Sequence, residues 1–284
     1  MRAEMAWAGA AVAATLVAAG CASRRSSVSE NGIPPGALDA KTRLNSSPRH
    51  GEWAMIETGV GDSVRVWVVY PERRDKAPVV VVIHEIFGLT PWIRSVADQL
   101  AADGFIAIAP DLLTSKNLPG HPEDGPLSDQ ATAAIRTLDR SVVQRQLAAV
   151  ARYGMALPAA TQKYGVVGFC WGGTISFEHA LHSPDLGAAV VYYGGTPGNA
   201  NFAAARAPVL GLYGGDDSRV NSTIPVADSG MRAAGKSYES HVFAGAGHGF
   251  LRAQSDSARG VPNSAASTEA WPLTIAFFRT HLGS

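Results

Sequence analysis

The chain has 284 residues, 46% of them hydrophobic and 17% charged, and its 24 basic and 24 acidic side chains cancel to a net charge of zero. No basic cluster stands out beyond the N-terminal segment, which excludes an electrostatic nucleic-acid footprint. There is no internal repeat and no metal spacing of the H-E-x-x-H or paired C-x-x-C kind, so neither a metal nor another cofactor is expected.

Met1-Arg2-Ala3-Glu4 leads into an uncharged, Ala- and Gly-rich run over 5–22, followed by Ser23-Arg24-Arg25. This predicts an export signal over 1–22. A spanning helix needs roughly 20 strongly apolar residues, and this run is slightly short and only mildly hydrophobic, so cleavage is the expected fate. Leu16-Val17-Ala18-Ala19-Gly20-Cys21 is similar to a bacterial lipoprotein box, with Ala18 where leucine is usual. Cys21 is therefore a candidate lipid anchor, with ordinary signal-peptidase cleavage as the alternative, and the periplasm or envelope is the expected location. The chain has two cysteines, and losing the signal region leaves Cys170 without a disulfide partner. Residues 23–50, rich in Ser, Pro, Gly and Arg, predict a flexible tether. Residues 51–284 are of a size for one α/β domain, with a monomer expected.

In chain order, residues 64–70 begin with polar alternation and predict an outer strand, whereas 79–83 is a solid β-branched run that predicts a buried central one. Residues 91–102 have helical spacing with Pro91 in the first turn and Asp103-Gly104 as a stop, and 105–109 predict the next strand. The pattern repeats: helix 141–155, strand 164–169, a helix after Cys170, strands 188–193 and 208–213, helix 224–234, strand 238–243 and a last helix over 268–282. Strands alternating with helices predict a mostly parallel sheet covered on both faces, with the ligand site outside the carboxyl ends of the strands.

Gly168-Phe169-Cys170-Trp171-Gly172-Gly173 fits a nucleophile elbow with cysteine in the place of serine. Glycines two residues either side of Cys170 let strand and helix approach, and the N-terminus of the following helix favours a thiolate and an oxyanion. The alternative for Cys170 is a buried structural thiol. Glu85, Asp111, Asp216, Asp217 and His248 also fall just after predicted strands. The chain order nucleophile, acid, histidine is that of the α/β-hydrolase fold. His248 lies between glycines in the loop 245–250 as candidate general base, and Asp217 or Asp216 would orient it.

Through Glu85-Ile86-Phe87-Gly88, Pro110-Asp111-Leu112, the cysteine elbow, Gly214-Gly215-Asp216-Asp217 and Gly247-His248-Gly249-Phe250, the chain resembles the dienelactone hydrolase family from about Glu52 to its end. The resemblance implies hydrolysis of an ester or lactone through an acyl-thioester on Cys170, with His248 and, by the spacing to Val220, Asp217. It further implies that Glu85 takes the thiol proton when substrate arrives, and that Arg252 grips a substrate carboxylate. The backbone N–H groups of Ile86 and Trp171 are the expected oxyanion donors. The family's second arginine, expected soon after Pro110-Asp111-Leu112, is absent: the chain reads Leu113-Thr114-Ser115-Lys116. Lys116 supplies charge without a planar fork. The segment up to Asp129 is expected to be a lid, a rim or a plain surface loop. His84 is expected to support the oxyanion loop. A broad esterase or thioesterase on small uncharged acyl groups is the alternative enzyme, and a non-catalytic envelope binding protein is the alternative from another class.

Overall fold

The structure is a computed structural model that describes Met1 and residues 32–59, 61–120, 124–256 and 260–283. The expected signal and lipobox over 1–22 lie, apart from Met1, outside the described residues. Among the described residues no helix is long and apolar enough to cross a membrane.

The elements run α1 (Ala40–Asn45), β1 (Gly51–Gly59), β2 (Asp62–Val69), β3 (Ala77–Ile83), α2 (Pro91–Ala102), β4 (Ile106–Asp111), α3 (Ser128–Ile135) and α4 (Arg140–Ala156). They continue with β5 (Ala160–Phe169), α5 (Trp171–His182), β6 (Ala188–Tyr192), β7 (Val209–Gly214), α6 (Ser218–Asn221), α7 (Ile224–Ala233), β8 (Tyr238–Phe243) and α8 (Gly260–Leu282). The strands form one eight-stranded sheet in the order β1-β2-β4-β3-β5-β6-β7-β8. β1 and β2 join it antiparallel, and every pair from β4 onward is parallel.

Successive side chains of a strand point to opposite faces, and β3 shows what that requires of a central strand. Val79, Val81 and Ile83 enter the core shared with α4, α5 and α7, while Val80 and Val82 enter the core shared with α2 and α8. Every residue of β3 is buried, which explains its unbroken apolar run. The strand over 64–70 is next to the edge; the edge itself is β1, whose half-exposed, mixed composition hid it.

The tether expected over 23–50 needs correction from residue 32 onward. Residues 32–49 lie along α2 and include the helix α1, with Ala40 buried in the core. Trp92 donates its indole N–H to the Pro35 carbonyl at 3.0 Å, and Arg49 pairs with buried Asp98. Backbone carbonyls, the Lys41–Asp124 and Arg49–Asp98 ion pairs and a few scattered apolar contacts hold this segment, which leaves no apolar period to read.

Candidate active site

The parallel order β3-β5-β6-β7-β8 brings the ends of five neighbouring strands to one edge of the sheet. Glu85 follows β3, Cys170 follows β5, Tyr193 follows β6, Asp217 follows β7, and His248 follows β8. Adjacent strands are about 4.8 Å apart, so side chains from consecutive strand ends are close enough to act on one another.

Cys170 sits at the junction of β5 and α5 with φ 56° and ψ −116°, a conformation that L-residues rarely adopt. The close approach that creates it is visible at Gly168, where a Cβ would land on the Gly172 carbonyl. A Cβ on Gly172 would in turn strike the carbonyls of Ile83 and His84, so elbow and β3 are in backbone contact. The thiol is half-buried at the N-terminal end of α5. Burial, followed by the nearby Glu85 carboxylate, pushes the thiol up to about 11; the Trp171 N–H and the Arg219 guanidinium pull the other way.

His248 Nδ1 donates to Asp217 Oδ2 at 2.5 Å, which leaves Nε2 as the nitrogen for other proton transfers. The other Asp217 oxygen accepts from the Val220 backbone N–H at 3.3 Å, fixing the carboxylate at the start of α6. The structure thus brings Asp217 to His248, while Asp216 is exposed.

Glu85 is 3% exposed, and burial raises its carboxyl to about 7 although Arg252 opposes the rise. Arg252 Nε lies 3.2 Å from Glu85 Oε2, and its guanidinium covers the Phe87 ring at 4.8 Å from the centroid. Behind Glu85, His84 is buried with Nδ1 2.7 Å from the Glu85 carbonyl and Nε2 accepting the Leu112 backbone N–H at 3.3 Å. An accepting Nε2 makes Nδ1 the donor, the neutral tautomer that burial favours. His84 so ties the Glu85-Ile86 loop to the end of β4.

A cleft of about 340 Å³ opens over the thiol, lined by Ile86, Cys170, Trp171, Thr174, Tyr193 and Arg219 among others. A larger hollow of about 450 Å³ lies at the opposite edge of the sheet, between Arg43, Arg49, Glu72 and Gly104, and none of the strand-end candidates lines it. Lys116 is exposed and absent from the cleft lining, so the structure does not bring it to the thiol. The segment expected as a lid or rim leads into α3, whose Ala131 and Ile135 pack with Leu113, Ile86 and Trp171. α3 thereby walls the Glu85-Ile86 loop.

Tyr193 and Arg219 went unread in the sequence. Tyr193 has φ 40°, is fully buried, and its hydroxyl has no hydrogen-bond partner among the described residues. Its ring meets that of His248 edge-on at 5.2 Å. The sequence reading had Tyr193 as the last residue of the strand 188–193, whereas β6 ends at Tyr192 and leaves Tyr193 at the strand end, as Glu85 and Cys170 are at theirs.

A model of the dienelactone hydrolase family matches residues 64–282. The chain belongs to this family. It is 30% identical over 268 residues to a Salmonella typhimurium protein named "Putative carboxymethylenebutenolidase", an alignment that covers 88% of this chain and 97% of that one. It is 29% identical to a Bradyrhizobium protein named "Probable 2-oxo-3-(5-oxofuran-2-ylidene)propanoate lactonase", over 81% and 94% of the two chains. The crystal structure of a "Putative Dienelactone Hydrolase" from Klebsiella pneumoniae matches with a TM-score of 0.70 at 26% identity, covering 81% of this chain and 98% of that one. Membership of the dienelactone hydrolase family makes the protein a hydrolase of esters or lactones, and the sheet order above is the frame on which that chemistry is mounted.

Proposed function

We propose that this dienelactone hydrolase family member cleaves its ester or lactone with Cys170 as nucleophile. The observation that carries the reading is the elbow itself: a thiol at φ 56°, at the N-terminus of α5, in a cleft, with the buried Glu85 carboxylate acting on it. Glu85 accepts the thiol proton once substrate is seated, and the thiolate adds to the carbonyl carbon. The resulting oxyanion is held by the backbone N–H groups of Ile86 and Trp171, donors worth about 2.7–4 kcal/mol each in the transition state. Collapse expels the alkoxide, which takes the proton held by Glu85, and leaves an acyl-thioester. His248, oriented by Asp217, deprotonates the water that hydrolyses this intermediate, and the proton returns to the departing thiolate. Arg252 grips a substrate carboxylate in bidentate fashion.

The test is turnover of p-nitrophenyl acetate and of a dienelactone by the protein and by Cys170→Ala, with intact mass read during turnover. An acyl adduct that vanishes in the variant supports the reading; an adduct or full turnover that survives in Cys170→Ala removes it.

A second reading, a broad esterase acting on small uncharged acyl groups, is favoured by one specific feature. Lys116 stands where the family pattern calls for an arginine and is exposed away from the cleft. Export to the envelope, with Cys21 as lipid anchor, is also proposed; it rests on residues 1–22 alone, and the mass of the mature N-terminus tests it.

A further inference from the structure

We infer that residues 32–39 form a strap that positions Arg252 against Glu85 and Phe87 by gripping the backbone of the loop that carries it. The inference deepens the reading of Arg252 as the group that meets a substrate anion, and it rests on that reading for its kinetic consequence.

The grip falls on Arg252 itself. The Ala37 backbone N–H donates to the Arg252 carbonyl at 2.8 Å. Two residues later, the Gln254 side-chain amide donates to the Pro34 carbonyl at 2.9 Å and to the Leu251 carbonyl at 2.8 Å, so one amide ties strap and loop together. Gly36 is where the two backbones come closest. A Cβ there would fall on the Ser255 side chain and within 3.0 Å of its backbone nitrogen, so any larger residue must push strap and loop apart.

The far side of the strap is fixed independently of the loop. Pro35 receives the buried Trp92 indole N–H, and Ile33 and Ala37 pack on the core beneath α2 and α8. Further along, Ser47 and Arg49 bond to Asp98 on α2. The loop therefore hangs between its own turn, closed by Arg252 N–H to the Gly249 carbonyl at 3.0 Å, and a segment anchored to α2.

Such a mount matters because little else orients the guanidinium. Arg252 Nε is buried, yet its N–H is not aimed at the Glu85 oxygen 3.2 Å away, so neither atom makes an aligned hydrogen bond. Charge attraction and the Phe87 face are weakly directional; the backbone position of residue 252 decides where the fork points. Ala37, Gly36 and Gln254 are positioning residues for Arg252.

The experiment compares Gly36→Val, Gln254→Ala, Arg252→Ala, the Gln254→Ala/Arg252→Ala double variant, and Arg49→Ala as a control that frees the segment beyond residue 39 while Trp92 still holds Pro35. Two readouts are taken: hydrogen exchange of the peptide spanning 249–256, and the ratio of kcat/KM for an ester with a free carboxylate to that for its neutral methyl ester. Gly36→Val and Gln254→Ala are expected to speed exchange and to cut the ratio by about threefold to tenfold, a loss of part of one charged hydrogen bond. The double variant is expected to match Arg252→Ala, and Arg49→Ala to keep the wild-type ratio. A wild-type ratio in both strap variants beside a collapsed ratio in Arg252→Ala overturns the strap, as does unchanged exchange. An unchanged ratio in Arg252→Ala removes the substrate role of the arginine, while exchange still decides whether the strap holds the loop.

Discussion

Asp217 Oδ2 and His248 Nδ1 lie 2.5 Å apart at the ends of adjacent parallel strands, and the second Asp217 oxygen is held by a backbone N–H. The carboxylate has no free oxygen with which to rotate away, so the ring is held in one tautomer. Asp217→Asn is expected to lower kcat by about 10³–10⁴, because an amide that donates to Nδ1 leaves the wrong nitrogen protonated. Asp216→Asn, one residue earlier and exposed, is expected to stay within about twofold of wild type. Steady-state kinetics on both variants decide which aspartate acts on His248.

Glu85 gives a pH signature in stability. Its folded value, about 7, lies above the ordinary carboxyl value of 4.5 because burial penalises the charge. The protonated form is thus favoured in the fold, so stability is greatest below the unfolded value and is lost as pH rises from 4.5 through 7. Glu85→Gln removes this dependence. Its unfolding free energy relative to wild type is expected to climb by about 3 kcal/mol between pH 4 and pH 8. Chemical denaturation at several pH values measures it, and a difference that stays flat contradicts the buried, proton-holding carboxyl.

The same substitution separates resting thiol from working thiol. Glu85's charge is the second cause, after burial, of the raised Cys170 value. Without it the resting thiol ionises at lower pH, and iodoacetamide should alkylate Cys170 faster at pH 8.5, by about tenfold for each unit of change. Turnover should fall nonetheless, because the base that takes the thiol proton has gone. Faster alkylation with undiminished turnover would show that Glu85 only burdens the site.

Substrate charge supplies another test. With exposed Lys116 after β4 instead of a second arginine, and the Arg65 guanidinium there engaged by Asp111, the β4 side offers an anionic substrate no unengaged planar fork among the described residues. Turnover of an uncharged aryl ester is expected to rival or exceed that of an anionic dienelactone in side-by-side kcat/KM measurements. A strong preference for the anion reverses this assignment.

Packing at the elbow is testable without any substrate. Gly168→Ala puts a Cβ on the Gly172 carbonyl, backbone against backbone, and is expected to cost about 3 kcal/mol. Gly198→Ala, where nothing lies within 4 Å, serves as the control. Thermal unfolding of the two variants compares them.

Glu85, Cys170, Asp217 and His248 were legible because each polar residue interrupts the chain just after an apolar strand, and parallel sheets collect such positions at one edge. β1 was missed for the opposite reason: an edge strand with one solvated face has no solid apolar run, and exposed Met55 blurs its alternation. α3 hides in a segment rich in Gly, Pro and acidic residues and buries only Ala131 and Ile135. Tyr193 was read as the last residue of the strand 188–193, because an apolar run does not show that the chain leaves the strand there with φ 40°. Residues 32–39 were unreadable because main-chain carbonyls of Pro34 and Pro35, which every sequence carries, make their contacts.

The Gln254 to Pro34 hydrogen bond joins residues 220 positions apart. Closing so long a loop is costly in chain entropy, and contacts of this separation form late. A chain synthesised from its N-terminus makes the strap first and its partner loop almost last. The sheet, α2 and the cysteine elbow can assemble while the arginine loop is still unborn, and the strap must wait beside α2 for the other half of its contact. If Arg252 meets the substrate as proposed, discrimination depends on a contact that closes only once both ends of the chain are in place.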